Sequence, residues 1–295
     1  MHRLVLITLL IGVAATVAAA TARSERTAPA KLRNGKISFW SDRAFDGRAQ
    51  VFVMNADGSD QRRLTELFSA KRGDFSADGQ KLAFDGRGRE TLDDFDIFVM
   101  NADGSDVRQL TRGPDRDTQA SWSPNGRLVS YVRVKNPRSA PSIWIVNADG
   151  SGAHRIATGG SAVWSPDGKR LAVGGLGLRL MSTDGKRARN IVGGETEVAA
   201  WSQDGRRVLF TSYRYGNPEV YVVRSDGSGL RRLTRRRGED YAADFSPDGR
   251  KILFSSDRRG FKQVYVMNLD GSGVRNLSRS QSSDWATSWQ PLPPG

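Results

Sequence analysis

Cysteine is absent from this chain of 295 residues, and only two histidines, His2 and His154, are present. Without a thiol the chain cannot form a disulfide framework, a thiolate zinc site, a cysteine nucleophile or a lipidated N-terminal cysteine. The shortage of imidazole removes most histidine-dependent catalysis and metal binding. Apolar residues still make up 38% of the chain and charged residues 26%, which is typical of a folded globular protein.

Long uncharged runs are also scarce, and the main one lies at the N-terminus. A short basic start, His2-Arg3, precedes an uncharged run over 4–17 that ends in small residues. This pattern predicts a secretory signal peptide over 1–22, followed by a polar linker over 23–33. An uncleaved membrane anchor is the alternative. In both cases we expect the folded part in the periplasm or outside the cell, with no stable membrane insertion once the leader is cleaved.

Two turn motifs recur along the rest of the chain. An Asp-Gly pair follows an apolar run six times, at spacings of 46, 46, 35, 42 and 44 residues. The mean of about 43 lies in the range of β-propeller blades. Between these pairs stands a second series, an aromatic residue followed by Ser or Gln and a turn. The Asp-Gly series begins at Asp57, Asp103, Asp149, Asp184, Asp226 and Asp270, and the aromatic series comprises Phe75, Trp122, Trp164, Trp201, Phe245 and Trp289.

Each repeat contains four short apolar runs separated by turn chemistry. Asp-Gly pairs favour the turns that join antiparallel strands, and apolar faces with helical spacing are absent. The repeat is therefore a four-stranded antiparallel sheet, which buries both faces only when several such sheets pack radially. In the last full repeat the predicted strands are 241–245, 251–254, 263–268 and 274–277.

The two ends of the chain complement each other. Residues 34–37, Asn-Gly-Lys-Ile, match the second half of a first turn, and 288–291, Ser-Trp-Gln-Pro, match a first strand. The sequence thus predicts an all-β fold, a six-bladed β-propeller of four-stranded antiparallel blades over 34–291. Its ring would be closed by pairing the N- and C-terminal strands in one blade, and 292–295 would form a tail.

The repeat motifs resemble the WD-repeat-like units of TolB-type β-propellers. The resemblance rests on Trp-Ser-Pro-Asp-Gly at 164–168, Phe-x-Ser-x-Arg-x-Gly at 254–260, Val-Tyr-Val-Met-Asn-x-Asp-Gly-Ser at 264–272, and Leu-Thr at 233–234. It implies an extracytoplasmic docking surface, since TolB is a periplasmic partner of a peptidoglycan-associated lipoprotein. The α/β domain that precedes the TolB propeller has no counterpart after the leader. Similar units occur in propellers of peptidases and polysaccharide lyases, so fold alone does not assign function.

The longer and more variable connections should lie on one face, where binding usually resides. The shortest repeat departs from this pattern, because its connections contract to 174–177 and 159–161. This contraction predicts a notch in the rim, with inconsequential repeat decay as the alternative. The rim itself is predicted from 42–48, 85–96, 133–141, 213–219 and 257–262.

Three aspartates share one position in the repeat. Asp117, Asp240 and Asp284 each stand five residues before a first-strand aromatic. They would lie near the mouth of the central channel as half a carboxylate ring that holds a cation or a basic peptide group. Alternatively, each accepts backbone N–H bonds within its own loop.

Neighbouring residues extend this candidate site. Tyr241 and Trp285 each follow one of the aspartates and are candidate aromatic contacts for a partner, although packing between blades explains them equally well. Glu195 and Glu197 would add acidity at the next repeat.

The sequence contains no specific catalytic motif. His154 falls in an outermost strand, and no Gly-x-Ser-x-Gly elbow, phosphate loop or dinucleotide fingerprint occurs. We therefore expect no cofactor and no metal site. The formal charge of +13 is spread along the chain without the clustering of a nucleic-acid reader, so no nucleic acid is expected. An anionic envelope polymer is a further partner class for a basic surface.

Together these observations predict a non-catalytic, monomeric module that binds an envelope protein or peptide at the channel mouth. One alternative is a polysaccharide-active lyase or glycosidase that uses carboxylates at the mouth. Another is a structural propeller that binds a cation.

Overall fold

The computed structural model describes residues 31–44, 47–88, 95–236 and 238–294. Within these residues the apolar runs form 22 β-strands, and the Asp-Gly pairs lie in the turns between strands. The predicted signal peptide over 1–22 and most of the linker lie outside these residues. Within them no helix occurs, and hence none long and apolar enough to cross a membrane. The strands begin at Arg33 and end at Leu292, one residue beyond each predicted boundary of the propeller.

The strands form five antiparallel sheets, which we number by the earliest strand that each contains. Four of them have four strands and one has six. Sheet 1 is β22 (Asp284–Leu292), β1 (Arg33–Ser41), β2 (Gln50–Met54) and β3 (Arg62–Arg63). Sheet 2 is β4 (Ser69–Phe75), β5 (Lys81–Arg87), β6 (Asp96–Asn101) and β7 (Arg108–Gln109). Sheet 3 is β8 (Arg116–Trp122), β9 (Leu128–Val134), β10 (Ser142–Asn147) and β11 (His154–Thr158). Sheet 4 is β12 (Ser161–Trp164), β13 (Arg170–Ser182), β14 (Ala188–Trp201), β15 (Arg207–Ser212), β16 (Glu219–Arg224) and β17 (Arg231–Arg232). Sheet 5 is β18 (Asp240–Phe245), β19 (Lys251–Arg259), β20 (Phe261–Asn268) and β21 (Arg275–Asn276).

The number of blades corrects the sequence-based expectation. Six separate four-stranded blades in a ring closed by the terminal strands are not found, because the described residues form five sheets. The two repeats between residues 161 and 232 are joined into sheet 4. The prediction of an all-β propeller-type architecture is right, and the count of six blades is wrong.

Short connections explain why these two repeats join. β13 is 13 residues long and β14 is 14 residues long, about twice the length of the strands around them. The contracted connection 174–177 lies inside β13, so no loop interrupts the strand there. β14 pairs with β13 through residues up to Thr196 and with β15 from Thr196 onward. One continuous strand therefore belongs to both repeats, and their ladders merge.

Sheet 1 contains both ends of the described chain. β22 pairs antiparallel with β1, with Ser288 opposite Ser38 and Trp285 opposite Trp40. This pairing does not complete a ring of six blades, since five sheets are present.

The hydrophobic core lies between neighbouring sheets. Trp122 of sheet 3 packs in one cluster with Ala83 and Val99 of sheet 2, and Trp289 of sheet 1 packs with Leu253 and Val264 of sheet 5. Removing such a buried aromatic side chain typically costs about 3–5 kcal/mol. These aromatic residues thus hold one sheet against the next, whereas Trp201 packs within sheet 4, where two repeats are joined.

Side-chain acceptors also link the sheets at β-bulges. A bulge leaves a backbone N–H without a partner in its ladder. At the bulge in β18, the N–H of Ala242 donates to Thr211 Oγ1 of sheet 4 at 3.0 Å. At the bulge in β22, the N–H of Ala286 donates to Ser255 Oγ of sheet 5 at 2.8 Å. These bonds fix the innermost strands and hence the wall of the channel that they surround.

Candidate binding site at the channel mouth

The innermost strands of all five sheets surround a central channel, and sheet 4 contributes two of them. At one end these strands, β4, β8, β12, β14, β18 and β22, enclose a pocket of about 390 Å³. Its lining combines small residues at depth with aromatic and charged side chains at the opening: Trp40, Arg72, Asp74, Gln119, Glu197, Tyr213, Tyr241, Ser255, Trp285 and Thr287 among them. We call this pocket the mouth.

Aromatic side chains form one wall of the mouth. Trp40 and Trp285 face each other across the β1–β22 ladder and stack with ring centroids 5.2 Å apart. Tyr241 lies at 5.3 Å from Trp285 with its ring tilted by 55°. All three side chains keep part of their surface open, so they can contact a partner as well as each other.

Lysines cover the aromatic wall. Lys262 Nζ lies 4.7 Å from the ring centroid of Tyr241, and Lys71 Nζ lies 4.9 Å from that of Trp40. Lys262 is held in place by carboxylates of Glu239 and Asp257, each at 2.8 Å. Burial lowers the pKa of Lys71, with nearby arginines adding to the effect. These lysines lie close enough to the rings for cation–π attraction.

The tyrosine hydroxyls at the mouth stay protonated at neutral pH. Burial, together with the negative charges of Glu197 and Glu195, raises the pKa of Tyr213 to about 12. Burial also raises the pKa of Tyr241, helped by Tyr213 and Glu239. Tyr241 donates its proton to Glu239 Oε2 at 3.2 Å, whereas the hydroxyl of Tyr213 can donate a hydrogen bond to a ligand.

The three aspartates predicted for the mouth lie just outside its lining. Each is fully buried and each accepts an arginine of its own repeat. Arg133 donates to both oxygens of Asp117 at 2.7 Å, a bidentate pair. Arg258 Nη2 lies 3.0 and 3.1 Å from the two oxygens of Asp240. These pairs tie the first strand of each repeat to the end of its second strand, since Arg133 lies in β9 and Arg258 in β19.

Asp284 follows the same rule with one further partner. Arg43 Nη2 lies 2.5 Å from its Oδ2, and Ser280 Oγ donates to the same oxygen at 2.6 Å. That these aspartates hold a cation or a basic group of a partner stays a prediction. In the structure each of these carboxylates is paired with an arginine side chain. None of the three is therefore a free carboxylate, and the main partner of each is a side chain rather than the backbone N–H groups of its own loop.

Tyr241, Trp285 and Glu197 line the mouth, and Glu195 lines an adjoining groove. That these four residues bind a partner stays a prediction. Tyr213 begins the predicted rim segment 213–219, whereas Trp40 and Arg72 of the mouth, and Lys71 beside Trp40, were not singled out from the sequence. Trp40 could have been found by pairing the two chain ends. His154 is exposed at the start of β11, as expected for a surface histidine.

Two further carboxyl groups lie deeper in the channel wall. Asp74 and Asp244 stand one position before Phe75 and Phe245, a position that sequence reasoning did not examine. Asp244 accepts the N–H of Trp289 at 2.8 Å, and Asp74 accepts the N–H of Trp122 at 3.2 Å. They act as inter-sheet acceptors.

The environment of these two groups favours the neutral form. Burial raises the pKa of Asp74 to about 6 and that of Asp244 to about 8, and the charge of Asp74 contributes to the second shift. No cluster of three or more His, Asp or Glu side chains that could hold a metal ion occurs within the described ranges.

Comparison with known proteins agrees with this geometry. Residues 68–176 and 176–292 match the family described as the TolB beta propeller domain. The chain belongs to this TolB propeller family. The Tol-Pal system protein TolB of Syntrophus aciditrophicus (strain SB) is 38% identical to it over 52 residues, which are 17% of this chain and 12% of that protein. The match therefore spans a small part of that relative.

Solved structures share the fold at low sequence identity. TolB from Acinetobacter baumannii has a TM-score of 0.75 and 16% identity, over 87% of this chain and 66% of that one. An oligogalacturonate lyase in complex with manganese has a TM-score of 0.57 and 15% identity, over 84% of this chain and 74% of that one. At these identities the likeness establishes the fold alone.

Proposed function

We propose that this protein is an exported, non-catalytic TolB-like propeller that docks an envelope protein or peptide at the mouth. The observation that carries the proposal is the half-buried wall of Trp40, Tyr241 and Trp285, lined up along one side of an open pocket. Aromatic side chains are enriched at protein interfaces because they offer a large contact area at a small cost in side-chain entropy. The family's Tol-Pal relative supports a protein partner of this kind.

Rigidity of the mouth supports the same function. The N–H groups of Ala242 and Ala286, each next to a mouth residue, are bonded to side chains of the preceding sheet. A surface that is already ordered loses less conformational entropy when a partner binds. A preorganised aromatic wall is thus suited to reversible docking.

Charge distribution favours a binding module over a lyase or glycosidase. The carboxylates of Asp117, Asp240 and Asp284 are each neutralised by an arginine, and Asp74 and Asp244 are engaged by backbone N–H groups. A carboxylate engaged in this way is a poor candidate for acid–base work on a sugar, so a lyase or glycosidase would have to use Glu195 and Glu197, which line the groove without such partners. Turnover of polyuronides by the purified protein would contradict the non-catalytic proposal.

Affinity capture from the native envelope tests the docking surface. The bait is the mature protein, compared with a Tyr241→Ala/Trp285→Ala variant. We expect the unaltered protein to retain one envelope protein, which mass spectrometry identifies. The double variant should retain about tenfold less of it or lower still, because loss of interface hot spots has an effect of this size.

A matched control separates the mouth from other aromatic surface. Tyr215 is 67% exposed, lies two residues from Tyr213 and does not line the mouth. Tyr215→Ala should leave the capture unchanged. If Tyr215→Ala reduces the captured envelope protein as much as the double variant does, the mouth is not the docking surface.

A further inference from the structure

A groove of about 680 Å³ lies beside the mouth, where the contracted repeat predicts a notch. Its floor and sides come from β13, β14 and the short segment between β11 and β12. Glycines make it open: a Cβ added to Gly160 or Gly193 would meet no atom within 4 Å. The groove shares Glu197 and Tyr213 with the mouth, while Glu195 and Leu176 line the groove only.

One lip of the groove is a bare leucine. Leu176 is 95% exposed, the most exposed of the large apolar side chains in the described residues. It lies at the contracted connection within β13, in the place of the longer loops of other repeats. Pro141 and Val192 add further apolar surface to the groove. This surface suits the hydrocarbon part of a ligand.

The facing wall is acidic and unpaired. Glu195 and Glu197 lie two positions apart on β14, so their side chains project to the same side of the sheet. Neither carboxylate has a hydrogen bond or an ion pair within the part of the chain that the structure describes. This is unusual for a protein with a formal charge of +13, whose Asp117, Asp240, Asp284 and Glu219 are each paired with an arginine.

The cations closest to this wall have other partners. Arg179 also lines the groove, but its guanidinium donates to the carbonyl oxygen of Thr158, and Arg214 donates to that of Gly193. Thr196, between the two glutamates, projects to the opposite side of β14, so its buried hydroxyl does not face them.

We infer that this groove binds an arginine or lysine side chain of an extended partner segment. The hydrocarbon stem would lie on Leu176 and Pro141, and the cationic head would lie between Glu195 and Glu197. Long basic side chains commonly bury their stems on apolar surface while the charged end meets a carboxylate. Charge complementarity selects this occupant, because an anionic polymer would meet two uncompensated carboxylates. The groove is a second site, and it does not depend on the aromatic wall of the mouth.

The test uses two capped pentapeptides that differ in one side chain. Ala-Ala-Arg-Ala-Ala and its twin with norleucine in place of arginine are titrated into the isotope-labelled protein, and the amide NMR signals of Gly160 and Gly193 are followed. We expect the arginine peptide to bind about fivefold or more tightly than the norleucine peptide, the upper range for a solvent-accessible ion pair. Added salt should reduce that ratio.

Variants locate the effect. Glu195→Gln should abolish the preference for arginine, while Leu176→Ser should weaken both peptides alike. Glu66→Gln, an exposed glutamate paired with Arg63 in sheet 1's outer region, should change neither. Binding of both peptides with equal affinity, or a preference for arginine that survives Glu195→Gln, would overturn the inference. The Tyr241→Ala/Trp285→Ala variant should keep the preference, which separates this site from the mouth.

Discussion

At the scale of single residues, the side chain before the first-strand aromatic joins neighbouring sheets at three places. Asp74 and Asp244 occupy this position in sheets 2 and 5, and Ser288 lies between them in sheet 1. Each accepts the backbone N–H of an aromatic residue in the next sheet. Because the carboxyl groups also face a narrow channel, they are held in surroundings that disfavour charge.

The raised pKa values make stability depend on pH. An aspartate in an unfolded chain has a pKa near 3.9, and burial raises that of Asp244 to about 8 in the folded protein. Between about pH 4 and pH 8 the folded state therefore holds a proton that the unfolded state has lost, and the free energy of unfolding falls as pH rises. Asp74 adds to this trend up to about pH 6.

Asp244→Asn should flatten that dependence. The amide oxygen can still accept the N–H of Trp289, and the neutral side chain avoids the cost of a buried charge. We expect the variant to match the unaltered protein near pH 4 and to melt at a higher temperature near pH 9. Thermal melts across this range measure it. The exposed turn residue Asp270, whose pKa is lowered by hydrogen bonds from Ser272, provides the control Asp270→Asn, which should leave the alkaline limb unchanged. A parallel fall for Asp244→Asn and the unaltered protein would rule out Asp244 as the source.

Sequence reasoning reached part of the site at this scale. The position of Tyr241 and Trp285 in the repeat was enough to put them on first strands near the channel, and both line the pocket there, while their contact with a partner stays a prediction. It was not enough to pair Asp117 with Arg133, although the turn between β8 and β9 sets them opposite each other in the ladder. The roles of Asp74 and Asp244 depend on a neighbouring sheet, and no local pattern reveals such a contact.

At the scale of strands, repeat length determines whether sheets stay separate. Turn chemistry and apolar runs were sufficient to predict the strands of the last repeat, all four of which fall within or overlap β18 to β21. The joining of two repeats into sheet 4 was not predictable in the same way. In the sequence, the contracted connection 174–177 indicates only that a loop is missing. In the structure these residues belong to β13, so the ladder between β13 and β14 continues through them.

Gly174 lies in β13 at a position where a side chain would collide with neighbouring atoms. A Cβ there would lie 2.4 Å from Ser161 Oγ and 2.8 Å from the carbonyl oxygen of Thr196. Gly174→Ala should therefore lower the free energy of unfolding by about 1–3 kcal/mol, as for other overpacked sites. Chemical denaturation measures the change.

A neighbouring glycine provides the matched control. Gly160 has open space where its Cβ would lie, so Gly160→Ala should change stability little. Equal destabilisation by the two substitutions would mean that close packing at Gly174 is not what holds sheet 4 together.

At the scale of the whole molecule, stability without disulfides comes from packing between sheets. Cysteine is absent, and the cores lie at sheet–sheet boundaries that each contain a first-strand aromatic. The periodicity of the sequence predicted this principle of construction. It overestimated the number of sheets, because the count of repeats equals the count of sheets only where every connection is long enough to separate them.

The same frame sets where a partner can dock. The innermost strands are tied to neighbouring sheets by hydrogen bonds, and the aromatic wall of the mouth lies at their ends. The groove beside the mouth offers a second, acidic surface. We therefore expect an envelope protein to contact the mouth.

Site-specific photocrosslinking in the native envelope tests this claim most directly. A photoreactive phenylalanine analogue is placed at Tyr213, which lines the mouth, or at Tyr215, which is exposed outside it. We predict a discrete crosslinked product with one envelope protein from position 213 and little or none from position 215. No product at position 213, or the same product in equal yield at both positions, would contradict docking at the mouth.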